Sequence, residues 1–382
     1  MGIKASARMA AWLIIVLGLT GCWDLKEPNE LSFVMGSGWD AAEDGAIKVS
    51  VQIPVLKSSS SQSAGGGAPG KPYTVVTASG KNISDAALHI QEKLSRALFP
   101  GHRIALFISE EVAKRGFTKW LDELIRNPDS NTRVSIFVVK GVSAERFLGN
   151  EYAMERFSSL YATRTTKIAG FTENIFDLQK DKNNPSKCFL LPIITAISGP
   201  PENQLEFQDI AVFDQDGKLS YSLKREEASL ALWITGKITH IPLTLRLPKE
   251  DGTISLDLQK IKRKIKVKTD GKQIKVSVKL TGTGLIRENN TKLYLLSPAV
   301  KDRVTGEMSD LIRKQAIEVI QTVQKKYKTD IFGIGNELAW KHPAKWQALR
   351  GSWPETFSQL DVSVDVKLKI DGVGQVGTGP QI

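Results

Sequence analysis

Cysteine and histidine are scarce in this 382-residue chain: Cys22 and Cys188 are its two cysteines, and there are four histidines. Two cysteines exclude a disulfide scaffold and any Cys-rich zinc module. His89 and His102 flank a helical stretch without a His-Glu-x-x-His spacing, and His240 and His342 stand alone, so no metal or cofactor site is expected. The one long apolar run, Ala10 to Leu19, is about half of the roughly 20 residues a membrane-crossing helix needs. Acidic residues are in deficit, 41 Asp plus Glu against 52 Lys plus Arg, and the formal charge of +11 favours anionic surroundings such as a lipid surface, a wall polymer or nucleic acid. With 41% hydrophobic and 24% charged residues the composition is globular, which excludes wholesale disorder and a coiled-coil rod. The length suits two or three domains.

What is present begins at the N-terminus. Lys4 and Arg8 precede the apolar run, and Leu19-Thr20-Gly21-Cys22 follows it. A basic region followed by a short apolar one is a secretory signal. The Leu-Thr-Gly-Cys ending resembles the bacterial lipobox, in which the cysteine thiol takes a diacylglycerol and becomes the first residue after cleavage. Residues 1–21 are thus expected to be a lipoprotein signal peptide, leaving a chain of charge +9 anchored through Cys22. Two or three acyl chains anchor durably where one does not. Cys188, in Cys188-Phe189-Leu190-Leu191, is then left without an intramolecular partner and reads as a small buried hydrophobe.

The pattern along the rest is mixed. Leu31 to Leu56 holds two strand-like runs, one the strict alternation Lys48-Val49-Ser50-Val51-Gln52-Ile53, and the Ser/Gly tract Lys57 to Pro72 reads as a flexible loop. Ser84 is the expected N-cap of a helix with the stripe Ala87, Ile90, Leu94 and Leu98. Strands are expected over Arg103 to Ile108 and Arg133 to Lys140, with a helical stretch between them opened by Ser109 and interrupted by Gly116. Pro200-Pro201 reads as a linker. Beyond it come a hairpin over Asp214 to Gly217, a short helix over Glu226 to Ile234, a long hairpin turning at Asp270-Gly271, a long helix from Ser297-Pro298, and a last strand, Leu360 to Ile370. The expected fold class is α+β, multidomain, each domain a mixed sheet with surrounding helices: an N-terminal region over 22–199 and a C-terminal domain over 202–376.

No catalytic constellation emerges. Gly65 to Lys71 nearly fits a phosphate-binding loop, but Pro72 replaces the required hydroxyl residue and a strand pattern follows. Gly372, Gly374 and Gly377 leave too little chain behind them for a dinucleotide-binding helix. Glu110-Glu111 and Glu226-Glu227 are sequence neighbours on helices, so their carboxylates diverge and cannot face one scissile bond. A non-enzymatic protein is expected. The strongest charge feature is the long hairpin: Asp257 to Leu280 carries nine Lys or Arg residues against two Asp, with Lys262, Lys264, Lys266 and Lys268 on one side of the alternation. Two readings stand open, a solvated sheet face whose lysines discourage edge aggregation and a membrane or partner surface facing anionic lipid. Nucleic acid is not expected, since the chain is exported and no aromatic residue interleaves these lysines.

Several segments together resemble one family. Gly21-Cys22-Trp23-Asp24 with Glu27, Asn29, Leu31, Val34, Gly36, Gly38 and Asp40 is similar to the start of the C-subunit lipoproteins of bacterial spore germinant receptors, the Ger(x)C family. So are Ser79-Gly80-Lys81-Asn82-Ile83, His102-Arg103, Ile210-Ala211-Val212-Phe213, Leu232-Trp233-Ile234-Thr235-Gly236, and Asp330-Ile331-Phe332-Gly333-Ile334-Gly335 with Trp346, Trp353 and Phe357. The resemblance spans nearly the whole chain after Cys22. It implies three α/β domains, a place on the outer face of the inner spore membrane, and two multi-span integral-membrane subunits as partners in a nutrient receptor. The competing classes are a solute-binding lipoprotein, for which two similar lobes are expected, and a wall-active lipoprotein enzyme, for which a usable carboxylate pair or metal cluster is expected.

Overall fold

The computed structural model describes residues 27–55, 71–152, 154–197, 204–248, 250–270 and 273–374. Cys22, the signal peptide, most of the Ser/Gly tract and the Pro200-Pro201 linker lie outside the described residues. The elements, in chain order, begin with β1 (Leu31–Phe33), β2 (Gly36–Ala41), β3 (Ile47–Pro54), β4 (Tyr73–Gly80), α1 (Ile83–Gln91), β5 (Ala97–Phe99), β6 (Ala105–Ser109), α2 (Glu110–Arg115) and α3 (Leu121–Arg126). They continue with β7 (Ser135–Lys140), α4 (Ala144–Gly149), α5 (Ser158–Ile168), α6 (Ile175–Lys182), β8 (Phe189–Ile197), β9 (Gln204–Phe213), β10 (Leu219–Leu223), α7 (Arg225–Thr235) and β11 (Ile241–Leu245). The last are β12 (Ile254–Thr269), β13 (Ile274–Asn289), α8 (Pro298–Thr322), α9 (Ile334–Lys341), α10 (Pro343–Leu349), α11 (Trp353–Gln359) and β14 (Asp361–Gly372).

Eight strands form one sheet in the order β10-β9-β8-β7-β6-β2-β3-β4, and β11-β12-β13-β14 form a second; β1 and β5 make a short parallel pair. The centre of the large sheet, β2, β6, β7 and β8, is parallel and its flanks are antiparallel. Parallel strands are covered on both faces, and their sequences are correspondingly apolar throughout: Leu106, Phe107 and Ile108 are all fully buried. One face packs with α1, α2 and α3 around Trp39, Phe117 and Phe213. The other packs with α4 and α5 around Phe107, Phe137 and Phe147. At the β8–β10 end this second face changes neighbours: Leu190, Ile210, Val212 and Leu223 join α7, α8 and the second sheet in a third core. The hydrogen-bonded sheet therefore runs on through Leu223, past the expected linker.

Several local expectations shift. The cap of α1 is Asn82, whose side chain accepts from the Asp85 amide at 2.9 Å, and not Ser84; the buried stripe is Ile83, Ala86 and Ile90. The helix ends at Gln91, so Leu94 and Leu98 lie beyond it and pack from the loop and β5. Arg103 lies before β6 and Arg133 before β7, each strand starting two residues later than expected. In β12 the apolar parity switches from even (Leu256, Leu258) to odd (Ile265, Val267), yet all four are buried in one core. Pairing to β13 shifts register between Leu258 and Lys260. A bulge there adds one residue, which turns the strand over so that both sets face the core.

Gln52 ties β3 to the helices behind it. Its side chain is fully buried; Nε2 donates to the Leu148 carbonyl at 2.9 Å and to Ser158 Oγ at 3.1 Å, and Oε1 accepts from Ser159 Oγ at 3.0 Å. Gln52→Ala leaves Ser159 Oγ without this acceptor and leaves Ser158 Oγ and the Leu148 carbonyl only their long 3.5 Å bond to each other, and a loss of roughly 2–4 kcal/mol is expected in a denaturant melt. A loss below about 0.5 kcal/mol means that the network contributes nothing net.

Candidate functional site

Three sequence motifs form the joints of the fold. At the end of β2, the Asp40 carboxylate accepts from the Ala144 and Glu145 amides at 2.8 and 2.9 Å, holding the start of α4 against the sheet. A Cβ on Gly36 would stand 2.9 Å from the Ser159 Cβ and one on Gly38 3.0 Å from the Ala144 Cβ, so only glycine lets α4 and α5 approach β2 this closely. At the end of α7, Gly236 takes the left-handed conformation (φ 75°) and the Lys237 amide reaches back to the Leu232 carbonyl at 2.9 Å, a Schellman ending. Trp233 Nε1 donates to the Lys262 carbonyl at 3.2 Å and so fixes α7 to β12. Before α9, the buried Asp330 carboxylate accepts from the Ile334 and Gly335 amides at 3.0 and 2.6 Å and from Trp353 Nε1 at 3.2 Å. Burial pushes the Asp40 and Asp330 carboxyls above their ordinary range, against the pull of those amide donors.

The second and third of these joints border a cleft of about 690 Å³ between α6 and β8 on one side and the α7 terminus, β12 and α9 on the other. Across it Lys237 Nζ bridges Glu173, with which it makes a short contact, and Asp181 at 2.7 Å. Glu173 is 3% exposed. Burial raises its carboxyl to about 7 although Lys237 pulls the other way. Burial works against the Lys237 ammonium, but Glu173 and Asp181 hold it above its ordinary value. Further along, Asn336 Oδ1 accepts from both the amide and the hydroxyl of Ser186, at 3.0 and 2.9 Å, and the Cys188 thiol donates to the Asp330 carbonyl at 3.0 Å. Burial raises that thiol well above its ordinary value, and its bond to Asp330 makes Cys188 a joint as well. Trp340 stands at the rim, 82% exposed.

The lysines foreseen on the long hairpin do come together, and with more company than the hairpin alone. Residues sharing the outer face of the second sheet pair in rows: Lys268–Lys275–Asp361, Lys266–Ser277–Ser363, Lys264–Lys279–Asp365, Lys262–Thr281–Lys367 and Lys260–Thr283–Lys369. The opposite face carries Val276, Val278, Leu280, Val364 and Val366, packed under α8. Sequence reasoning missed β14's contribution because its parallel pairing with β13 joins residues more than 80 positions apart. It missed the Glu173–Asp181–Lys237 bridge for the same reason.

The fold defines a class first: an α+β protein in which one mixed sheet is shared by two successive bodies, with buried acids as helix joints. No helix among the described residues is long and apolar enough to cross a membrane, and no group of three potential metal ligands occurs among them. Residues 24–196 match the family described as the spore germination protein N-terminal domain, and residues 208–374 match the spore germination B3/GerAC-like C-terminal family. The chain belongs to the Ger(x)C spore germination protein family, and with it goes a role in germination. It is 25% identical to spore germination protein KC of Bacillus subtilis (strain 168), over 93% of this chain and 92% of that protein. It is also 25% identical to spore germination protein B3 of the same organism, over 98% and 100%. The crystal structure of the GerBC protein superposes on 91% of this chain and all of its own with a TM-score of 0.55 at 17% identity, a likeness of fold.

The bridge has a pH signature. Glu173 titrates near 4.5 when unfolded and near 7 when folded, so the folded chain binds the extra proton between those values. Its contribution to stability therefore falls as pH rises from about 4.5 to about 7 and is flat above. Glu173→Gln is expected to remove a decline of roughly 1–3 kcal/mol across that window, read as the difference between wild-type and variant denaturant melts at pH 5 and pH 7.5. Parallel pH profiles for the two proteins rule the assignment out. Lys237→Met strands two carboxylates and is expected to cost roughly 3–5 kcal/mol at neutral pH.

Proposed function

We propose that the chain is the non-catalytic, lipid-anchored subunit of a nutrient germinant receptor in the inner spore membrane, assembled with two integral-membrane subunits. The observation that carries the reading is the ordered match of both family halves, residues 24–196 and 208–374, to germination proteins that the chain covers almost end to end. The anchor is supported by Leu19-Thr20-Gly21-Cys22. The first described residue, Glu27, is five positions from Cys22, which limits its distance from an acylated cysteine to about 17 Å. The body is thus held at the bilayer. The acids with arranged partners, Asp40, Asp330 and Glu173, are all committed to helix caps or to an ion bridge, which supports a structural and not a hydrolytic use of them.

Two measurements test this. Cys22→Ala is expected to abolish incorporation of labelled palmitate and leave the precursor uncleaved at that position; equal label on the variant refutes the anchor. Affinity purification of the tagged chain from spore membranes is expected to bring down two multi-span proteins, and spores lacking the chain to lose the response to at least one nutrient. Recovery of a transporter permease with ATPase instead favours a solute-binding lipoprotein.

A further inference from the structure

The outer face of the second sheet sets nine lysines against two aspartates, and no element packs on it. The lysines alternate with serine and threonine, and all nine are exposed. Among the described residues, Lys262, Lys264, Lys266, Lys268, Lys279 and Lys367 make no ion pair, whereas exposed acids elsewhere, such as Glu110, Glu111 and Asp122, are matched to a base one turn away. Two rows place like charges directly opposite each other, Lys264 against Lys279 and Lys268 against Lys275; β14 sets one aspartate beside each row, Asp365 and Asp361, which leaves Lys264 and Lys268 with only a lysine opposite. Directly opposed like charges destabilise a sheet. A face kept only for solubility is better served by alternating signs, so the repulsion points to a counter-charge supplied from outside the chain. The face also has relief: Lys264, Lys266, Lys279 and the hydroxyl-bearing Ser277 and Ser363 border a groove of about 380 Å³, with Asp365 as the one acid on its rim against three lysines. Convergent ammonium and hydroxyl groups suit a phosphate ester.

We infer that this face docks on an anionic phospholipid bilayer, with a lipid phosphate seated in the groove at Lys264, Lys266 and Lys279. The inference deepens the membrane-anchored reading above and rests on it for proximity. Three features favour a bilayer over other polyanions. The face is broad, about 27 Å along the strands and 10 Å across them by strand spacing, which matches an extended plane of headgroups. Its cations in these rows are all lysine, a flexible point charge suited to mobile headgroups, where fixed bidentate recognition uses arginine. It presents no aromatic side chain on which unpaired bases stack. No apolar residue points outward in these rows, so docking is electrostatic and sensitive to salt. A single anchor at Cys22 holds the body near the bilayer but leaves its orientation free; a second, broad contact sets it.

The test uses the full chain reconstituted in vesicles of phosphatidylcholine alone or of phosphatidylcholine with about a third phosphatidylglycerol, with lysines labelled by an amine-reactive reagent and read by mass spectrometry. On the anionic vesicles Lys262, Lys264, Lys266, Lys268 and Lys279 are expected to label at least fivefold more slowly than on the neutral ones. Lys314, on α8 behind the same sheet, is expected to label alike on both. Raising NaCl to about 0.5 M is expected to erase the difference, and the triple variant Lys264→Gln, Lys266→Gln, Lys279→Gln to remove the protection of Lys262 and Lys268. Equal labelling on both vesicles overturns the inference. So does protection by a duplex oligonucleotide or by polyphosphate without protection by anionic vesicles. Sedimentation with neutral vesicles reports the anchor separately: if it fails, the anchor reading falls, while recruitment by anionic vesicles alone still sustains the face.

Discussion

The rest of the structure depends on strands β8 and β9 being apolar on both faces. Phe189, Leu191, Ala211 and Phe213 point into the core of the N-terminal body, and Leu190, Ile210 and Val212 point into that of the C-terminal one. A pair of domains joined by a loop can rotate independently; two cores that share three hydrogen-bonded strands cannot do so without breaking the sheet. Trp233, Phe332 and α8 are packed in the same core as those strands, so the second sheet and its lysine face are held at a set angle to the first.

Within the N-terminal body and where the two bodies meet, the joints are polar. Asp40 and Asp330 each cap a helix that begins beside a strand end, and burial of their carboxyls gives up solvation that only well-directed amide donors offset. Such joints are intolerant of small displacements, because a donor lost leaves a buried acid unpaired. The Glu173–Lys237–Asp181 bridge follows the same logic across the cleft, with the difference that Glu173 titrates near neutrality. At the cleft, Asp330 supplies the cap and Glu173 the bridge.

The chain belongs to the Ger(x)C spore germination family, and its acids and lysines are arranged differently. The buried acids Asp40, Asp330 and Glu173 serve as caps and a bridge, and six lysines of a broad sheet face make no ion pair among the described residues. In the proposed setting, a short tether from Cys22 and a basic face address the same bilayer, and the shared sheet holds the N-terminal body at a fixed orientation above it. The exposed Trp340 at the cleft rim then faces whatever lies beside the body.

Much was legible from the residues. The α+β class, the hairpins over Asp214–Gly217 and Asp270–Gly271, the long helix from Pro298 and the lysine alternation follow from local periodicity, which a chain expresses over a few neighbouring positions. The family marks were visible too, but not their purpose: Gly36, Gly38 and Gly335 look like turn residues until α4, α5 and Trp353 are placed against them. Local shifts, such as Asn82 in place of Ser84, reflect a choice among neighbouring cap residues that propensity leaves close in energy. Local pattern carried many of the elements and the charge of one ribbon, while the helices between Ala144 and Lys182 went unread. It took the folded chain to bring β9 and β10 into the N-terminal sheet, Lys237 to Glu173, and β14 alongside the ribbon to widen it into a face. These are pairings between residues tens of positions apart, settled by which apolar faces can be buried together and not by any pattern a local stretch contains.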